Sequence, residues 1–517
     1  MKFYFKRQAV IFQLYATALI VLMLQLSACA TPLKEEQQQQ SFSLKSSAWE
    51  VLQDNLPSSE DVSWFDVQAV GPDALRWRLA LIDTATTSID AQYFIWEEDA
   101  VGSLLLDRLL QAADRGVRVR MLIDDSFLAG EDQLALAADA HPNLELRIFN
   151  PFEVRSENML VRYVENLNDY ERTNHRMHNK LLISDGQVAV VGGRNIAEEY
   201  FGFNAELNFR DFDLMVTGKV VPDISNSFDL YWNSGWAYPV AEVDHKKGAA
   251  SGLDRLQAEL KTRAASLSGW LGSRDSAPRD WSGEWRDLAP TLLPGRAKIL
   301  QDNPHFEGES PPIQAAQQIV SQLRDAQQEV MSVSAYLVPS AAMIQIAAEL
   351  SGRGVDVKAL TNSLASNNHV PAHSAYRHHR KELLLAGVDL YELKPDAPER
   401  SQFEAPGFRA DHIGLHAKIL VLDRQRLFVG TINADPRSMV LNTEVSLMID
   451  SPELAEAVIS VFSSDFQPQN SWRVMLDGKG AMSWHSSEGV LDRQPSSSAW
   501  RRVSDFLYGM LPIDDQM

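Results

Sequence analysis

"RMHNKLLISDGQVAVVGGRN", residues 176–195, decides how the chain is read. Leu181 to Ile183 and Val188 to Val191 are apolar runs, and the Asp185-Gly186 pair between them suits a tight hairpin turn. A strand bound for a core has no need to begin with a histidine, an asparagine and a lysine. Side chains alternate along a strand, so His178 and Lys180 point to one face. The turn returns Asn195 towards the start of the first strand, and the glycines before it permit sharp backbone bends. Asp185 has the opposite parity to His178 and sits at the turn, where a structural role is expected.

The same pattern recurs as "LHAKILVLDRQRLFVGTIN". Both copies spell H-x-K-x₄-D-x₆-G-x-x-N, and His178 and His416, Lys180 and Lys418, Asp185 and Asp423, and Asn195 and Asn433 are each 238 residues apart. Five fixed residues match by chance about once in 10⁶ positions, so two copies indicate duplication. "DRGVRVRMLIDD" at Asp114 and "GRGVDVKALTNS" at Gly352 extend the repeat. "NLELRIFNP" and "GVDLYELKP" match at an offset of 244, so insertions and deletions cancel between landmarks. Each half reads as strand, helix, strand, with "VGSLLLDRLLQAADRG" and "AAMIQIAAELSGRG" as the helices, which predicts α/β layering around a central sheet.

The ends and the middle read differently. Lys2, Lys6 and Arg7 precede an apolar stretch that ends in "LSAC", whose Cys29 is the only cysteine of the 517 residues. The stretch resembles a bacterial lipoprotein signal cleaved before a lipidated Cys29, and multiple acyl chains would hold the body permanently at a membrane. Ala30, where aspartate would imply inner-membrane retention, favours a place in the bacterial envelope on the outer membrane, facing the periplasm. The polar "TPLKEEQQQQSFSLKSS" (31–47) is expected to be a flexible tether with a mean reach of about 25 Å. The expected divisions are a signal at 1–28, Cys29 and tether to 47, a first lobe at 48–244, a connector at 245–295 and a second lobe with C-terminal extension at 296–517.

Losing three cations with the leader takes the formal charge from −21 to −24, which repels a phosphate backbone and excludes a general nucleic-acid binder. Two His/Lys/Asn sets meeting face to face about a pseudo-twofold axis form a centre for one phosphodiester. Lysines and asparagines stabilise the phosphoryl oxygens without a metal or other cofactor. One histidine attacks phosphorus as neutral imidazole while the other protonates the leaving alkoxide and then deprotonates the acceptor. A nucleophilic imidazole needs its tautomer fixed. Asp211 in "FRDFDLMVTG" and Glu444 in "NTEVSLMID" are the candidate orienting acids, with solvent-facing strand-end carboxylates as the plain alternative.

The chain resembles the phospholipase D superfamily, whose two-copy H-x-K signature this is. It is most similar to the cardiolipin synthase C group of bacterial phosphatidyltransferases. The resemblance is carried by "RMHNKLLISDGQVAVVGGRNIAEEYFG", "LTNSLASNNHVPAHSAYRHHRKELLLAGVDLYELKP", "LHAKILVLD" and "VGTINADPRSMVLNTEVSLMIDS". It implies two pseudo-symmetric α/β/α sandwich lobes, a phosphohistidine intermediate, phospholipid substrates, His178 as nucleophile and His416 as acid/base. The family often places a hydroxyl residue after the motif glycine. Here that position is Gly193 in one copy and Thr431 in the other, so Thr431 would supply any hydroxyl to phosphate and Gly193 a backbone N–H.

Three further features invite a membrane or metal reading. "NHVPAHSAYRHHRKEL" holds His369, His373, His378 and His379 without a complete zinc spacing, and reads better as a helix with headgroup contacts or a solvated face. Trp500, Val503, Leu507 and Met510 form one helical stripe that would lie in a membrane interface or, more commonly, dock on its own domain. Trp270, Trp281 and Trp285 in the connector leave the same choice. The sequence thus points to a membrane-tethered phosphatidyltransferase, with cardiolipin synthesis from phosphatidylglycerol and a second phospholipid as the leading reaction. A hydrolytic phospholipase D or other phosphodiesterase, and a non-enzymatic lipid- or protein-binding envelope lipoprotein, are the alternatives.

Overall fold

A computed structural model describes residues 47–57, 61–128, 132–243, 252–271, 281–304 and 315–510. Cys29, the signal and nearly all of the tether lie outside the described residues. The first half supplies β1 (Ser63–Gln68), β2 (Ser88–Tyr93), β3 (Arg118–Asp124), β4 (Leu144–Phe149), β5 (Leu181–Ser184), β6 (Val188–Gly192), β7 (Leu207–Arg210), β8 (Asp213–Gly218) and β9 (Ala237–Pro239). The second supplies β10 (Leu293–Gln301), β11 (Glu329–Ser334), β12 (Asp356–Asn362), β13 (Asp389–Leu393), β14 (His412–Leu415), β15 (Lys418–Leu422), β16 (Arg426–Gly430), β17 (Val445–Asp450) and β18 (Ser471–Leu476). An edge hairpin, β19 (Met482–Ser486) and β20 (Gly489–Leu491), extends it.

The pairings run β9-β4-β3-β2-β5-β6-β8-β1 in the first half and β10-β17-β16-β15-β11-β12-β13-β18 in the second. Read outward from the β1–β10 junction the two orders are the same, and antiparallel pairing of Ser63–Phe65 with Leu293–Gly295 fuses them into one 18-stranded sheet. Helices cover both faces. Gly71–Thr84 and Ala100–Asp114 pack outside the first lobe, while Val221–Trp232 and Pro452–Ser463 belong to a core shared by both halves, with Leu181, Val191, Leu415 and Leu447. The expected α/β class and pseudo-symmetric lobes are what the chain adopts.

The motif hairpins are built as their turn residues require. Asp185 and Gly186 both lie at positive φ (50° and 60°), which matches the strand twist across a tight hairpin. The second copy uses Asp423 and Arg424 at 52° and 55°, the arginine occupying a region glycine enters more easily. Both aspartates turn away from the catalytic face. Asp185 accepts the backbone N–H groups of Thr86, Thr87 and Ser88 and the indole of Trp49, and Asp423 accepts those of Gln327, Gln328 and Glu329. Each therefore ties its hairpin to the segment entering the neighbouring strand.

The connector tryptophans are core rather than membrane elements. Trp281 donates its indole to Asp83 at 3.0 Å, and Trp285 packs against Trp49 and Trp77 with ring centroids 5.1 and 4.9 Å apart. Trp270 packs edge-on to Phe203. These rings seal the outer face of the first lobe, where large aromatic area is most useful dry.

Candidate active site

Each motif histidine sits just before a central strand and is held by the other half of the molecule. The His178 N–H donates to the Thr443 carbonyl at 2.9 Å, and the His416 N–H donates to the Arg210 carbonyl at 2.9 Å. These bonds belong to short parallel pairings, Met177 with Thr443 and β14 with β7. The residue after each acceptor is an acid. Glu444 Oε2 consequently lies 2.9 Å from His178 Nδ1, and Asp211 Oδ2 lies 2.6 Å from His416 Nδ1. The two acids are exchanged between halves, a long-range consequence of strand pairing that no local spacing contains. Both are fully buried. The solvent-facing alternative for them is excluded.

With Nδ1 donating to a carboxylate, Nε2 of each ring carries the lone pair. Both histidines line one cavity of about 450 Å³, together with Asn195 and Asn433. Lys180 and Lys418 are buried alongside, their ammonium groups turned back to the carbonyls of His178 and His416. Asn195 Oδ1 accepts the Ile95 N–H, which orients its amide, whereas Asn433 Oδ1 is buried without a hydrogen-bond partner. An unmet acceptor beside a cavity is the kind of group a ligand hydroxyl or water satisfies.

The charge balance is set by burial. Burial, with Lys180 and Lys418 adding to it, holds the His178 ring well below the usual imidazole range. His416 is pushed down to about 3 by burial and Lys418, against the opposing pull of Asp211. Burial brings Lys418 down to about 8 and depresses Lys180 as well. Burial lifts Glu444 to about 7. Burial acts upward on Asp211 too, but the His416 ring and Lys418 overcome it and hold the carboxyl well below its ordinary range. Burial thus favours the neutral form of both imidazoles. An entering phosphodiester adds a negative charge, which favours protonation of one imidazole.

Two expectations need correction. The Gly193 N–H donates to the Phe212 carbonyl at 3.0 Å and is not offered to a substrate. The glycine is needed for space, since a Cβ there would sit 2.1 Å from Asp211 Oδ1. The Thr431 hydroxyl is also committed, donating to the Val445 carbonyl at 3.1 Å and accepting the Val445 N–H at 3.0 Å. Both residues shape the acids instead of touching phosphate. The four histidines of 369–379 do not gather: His369 lines the cavity, His373 pairs with Asp505 and His379 with Glu382.

Sequence reasoning missed the aromatic walls. Phe94 stands edge-on to His178 at 5.0 Å, and Tyr200 and Phe209 flank His416 at 5.1 and 5.2 Å. Arg437 and Tyr336 complete the cavity wall. Phe94 and Tyr336 end or follow apolar strands and look like core; only Arg437, in "NADPRSM" just after the motif, carried a usable signal.

Comparisons with known proteins place the chain in a family. A family model described as "Cardiolipin synthase, PLD-like domain" matches twice, at residues 79–232 and 319–466. The chain belongs to this phospholipase D superfamily family. It is an enzyme of the phosphatidyltransferase type. Cardiolipin synthase C of Escherichia coli K12 is 35% identical over 451 residues, covering 86% of this chain and 93% of that one. The major cardiolipin synthase ClsA of Bacillus subtilis strain 168 is 25% identical over 418 residues, covering 80% and 71%. Among solved structures, the phosphatidylserine synthase of Haemophilus influenzae Rd KW20 aligns with a TM-score of 0.53 at 12% identity, covering 83% and 91%, which shows the shared fold. Each family match spans a motif histidine with its lysine and asparagine.

Proposed function

We propose that the protein synthesises cardiolipin from phosphatidylglycerol and a second phospholipid through a phosphohistidine intermediate. The observation that carries the reading is the exchange of acids: each half holds the other's histidine by Nδ1, so both Nε2 atoms serve one cavity. His178 Nε2 attacks phosphorus, the bond to the departing headgroup oxygen breaks, and His416 gives that oxygen its Nε2 proton. The phosphatidyl group is then bound to His178. His416 next removes a proton from the glycerol hydroxyl of phosphatidylglycerol, the resulting oxygen attacks phosphorus, and His178 is released neutral. Lys180, Lys418 and the two asparagines act on the phosphoryl oxygens.

The asymmetry of the acids supports this division. Asp211 is firmly anionic and stabilises an imidazolium on His416, as an acid/base requires. Glu444, lifted to about 7, does less to charge His178, as a nucleophile requires. Mass spectrometry of products from vesicles containing isotopically labelled phosphatidylglycerol and phosphatidylethanolamine tests the reaction. Labelled cardiolipin is expected; phosphatidic acid without cardiolipin would establish the hydrolytic alternative.

We also infer that Cys29 carries the lipid anchor and that the enzyme works at the periplasmic side of the outer membrane. The "LSAC" sequence after an apolar leader supports this. A Cys29→Ser variant should retain its leader and lose outer-membrane fractionation; unchanged fractionation and processing would refute it.

A further inference from the structure

Two helices among the described residues are held by a buried charge and turn an apolar stripe outward. The first is Ala499–Tyr508. Its Asp505 is fully buried, accepting from His373 Nδ1 at 2.9 Å and Gln494 at 2.8 Å and pairing with Arg377, all on the side facing helix Val370–Leu385 or its approach. Arg501 donates to the carbonyls of Leu364 and Asn367. The stripe of Trp500, Val503, Leu507 and Met510, with Phe506 beside it, is left outside, Trp500 being 73% exposed. The expectation that this stripe docks on its own domain does not hold; the face that carries Asp505 docks.

The second helix, Met159–Glu165, repeats the arrangement. Arg162 is wholly buried, donating to Asp125 and to the Ser156 carbonyl, while Leu160 (77% exposed), Val161, Val164 and the following Leu167 face out. Large apolar side chains clustered this way mark an interaction surface, because scattered exposed residues do not require an ion-paired inner face to hold them outward.

Both patches border the catalytic cavity. Tyr163 and Tyr170 of the second patch line it. Asn368, His369 and Ala372 line it too, and they belong to or immediately precede the helix on which Ala499–Tyr508 is seated. We propose that these two helices are a membrane-docking surface that sets the mouth of the cavity on the glycerophospholipid headgroups. The inference deepens the phosphatidyl-transfer reading. A protein partner seated on both patches would cap the mouth against a bilayer-resident substrate, whereas a lipid surface supplies it. No helix among the described residues is long and apolar enough to cross a membrane. At a formal charge of −21 the chain is repelled by anionic headgroups, so attachment rests on apolar insertion with Trp500 and Tyr508 at interfacial depth.

The test uses the full chain reconstituted in phosphatidylcholine vesicles brominated on the acyl chains. Tryptophan emission is expected to be quenched, with a component that disappears in Trp500→Phe. In parallel, the pairs Val503→Glu/Leu507→Glu and Leu160→Glu/Val164→Glu should each lower turnover of vesicle phosphatidylglycerol about tenfold, while leaving turnover of monomeric dihexanoyl-phosphatidylglycerol unchanged. An unquenched Trp500, or equal losses on vesicle and monomeric lipid, would overturn the proposal. So would a doubled mass in light scattering that the glutamate pairs reduce to one chain without any Trp500 quenching, which would assign the surface to a second copy. Quenching of Trp500 in a protein inactive on monomeric lipid as well would uphold docking and defeat the catalytic reading instead.

Discussion

Replacing Asp211 with asparagine should separate general-acid catalysis from every other contribution of the centre. The Phe212 N–H donates to Asp211 Oδ1 at 2.7 Å. An asparagine oxygen keeps that bond, so its amide nitrogen is turned towards His416 Nδ1, where Asp211 Oδ2 now lies 2.6 Å away. The imidazole is then forced to accept at Nδ1, and an imidazolium there loses its anionic partner. At an effective dielectric of about 20, unit charges at this distance attract by about 6 kcal/mol, and a charge-assisted hydrogen bond contributes about 2–3 kcal/mol net. A loss of about 3–5 kcal/mol lies between these limits, or about 10²–10⁴ in the rate of headgroup expulsion. The assay compares two donors in single turnover. Phosphatidylglycerol expels an alkoxide that needs a proton, whereas a p-nitrophenyl phosphodiester of the same diacylglycerol expels a stable anion. Asp211→Asn should slow the first by the full factor and the second by about tenfold at most. Equal losses on both donors would refute the assignment of Asp211 and His416 to the proton.

Three further outcomes follow from the same contacts. Asp185→Ala should cost about 3–5 kcal/mol in urea unfolding with activity per folded molecule retained, because donors from Thr86, Thr87, Ser88 and Trp49, the last two buried, lose their acceptor. Asp423→Ala, whose donors Gln327 and Gln328 are exposed to water, should cost only about 1–2 kcal/mol; equal costs would show the two caps are not graded by burial. Lys418, brought down to about 8 by burial, is mostly deprotonated at pH 9, and a bound anion raises its affinity for a proton. Calorimetric titration with inorganic phosphate at pH 9, in buffers of different ionisation enthalpy, should therefore report proton uptake that Lys418→Met reduces; heats independent of buffer would contradict the depressed lysine. Gly193→Ala should abolish turnover by driving its Cβ into the Asp211 carboxylate, visible as lost activity in a folded protein; a fully active variant would show that the acid has room to move.

What the sequence made legible was chemistry repeated at intervals. His178, Lys180 and Asn195 could be recognised because a strand start has no structural use for them, and their second copies made chance untenable. The α/β lobes were legible because strands and helices alternate in both halves. The swap of Asp211 and Glu444 was not, because it depends on Met177 pairing with Thr443 and β14 pairing with β7 across more than 200 residues. Gly193 and Thr431 were misread as phosphate contacts because a motif position does not reveal which way its N–H or hydroxyl is already committed. Phe94 and Tyr336 were missed because an aromatic residue at a strand end reads as core until its neighbours are known. The stripe of Trp500, Val503, Leu507 and Met510 was found, but which face docks was decided by Asp505, a single buried charge on the opposite side of the helix.

The convergence of two half-sites on one phosphorus is tested most directly by trapping the covalent intermediate. Quenching turnover of phosphatidylglycerol labelled in its phosphate with denaturant at mildly alkaline pH, where a P–N bond survives, followed by peptide mapping at that pH, should place one phosphatidyl group per chain on His178, with no label in His178→Ala. Label on His416, on both histidines at once, or persisting after removal of His178 would contradict a shared centre with divided roles.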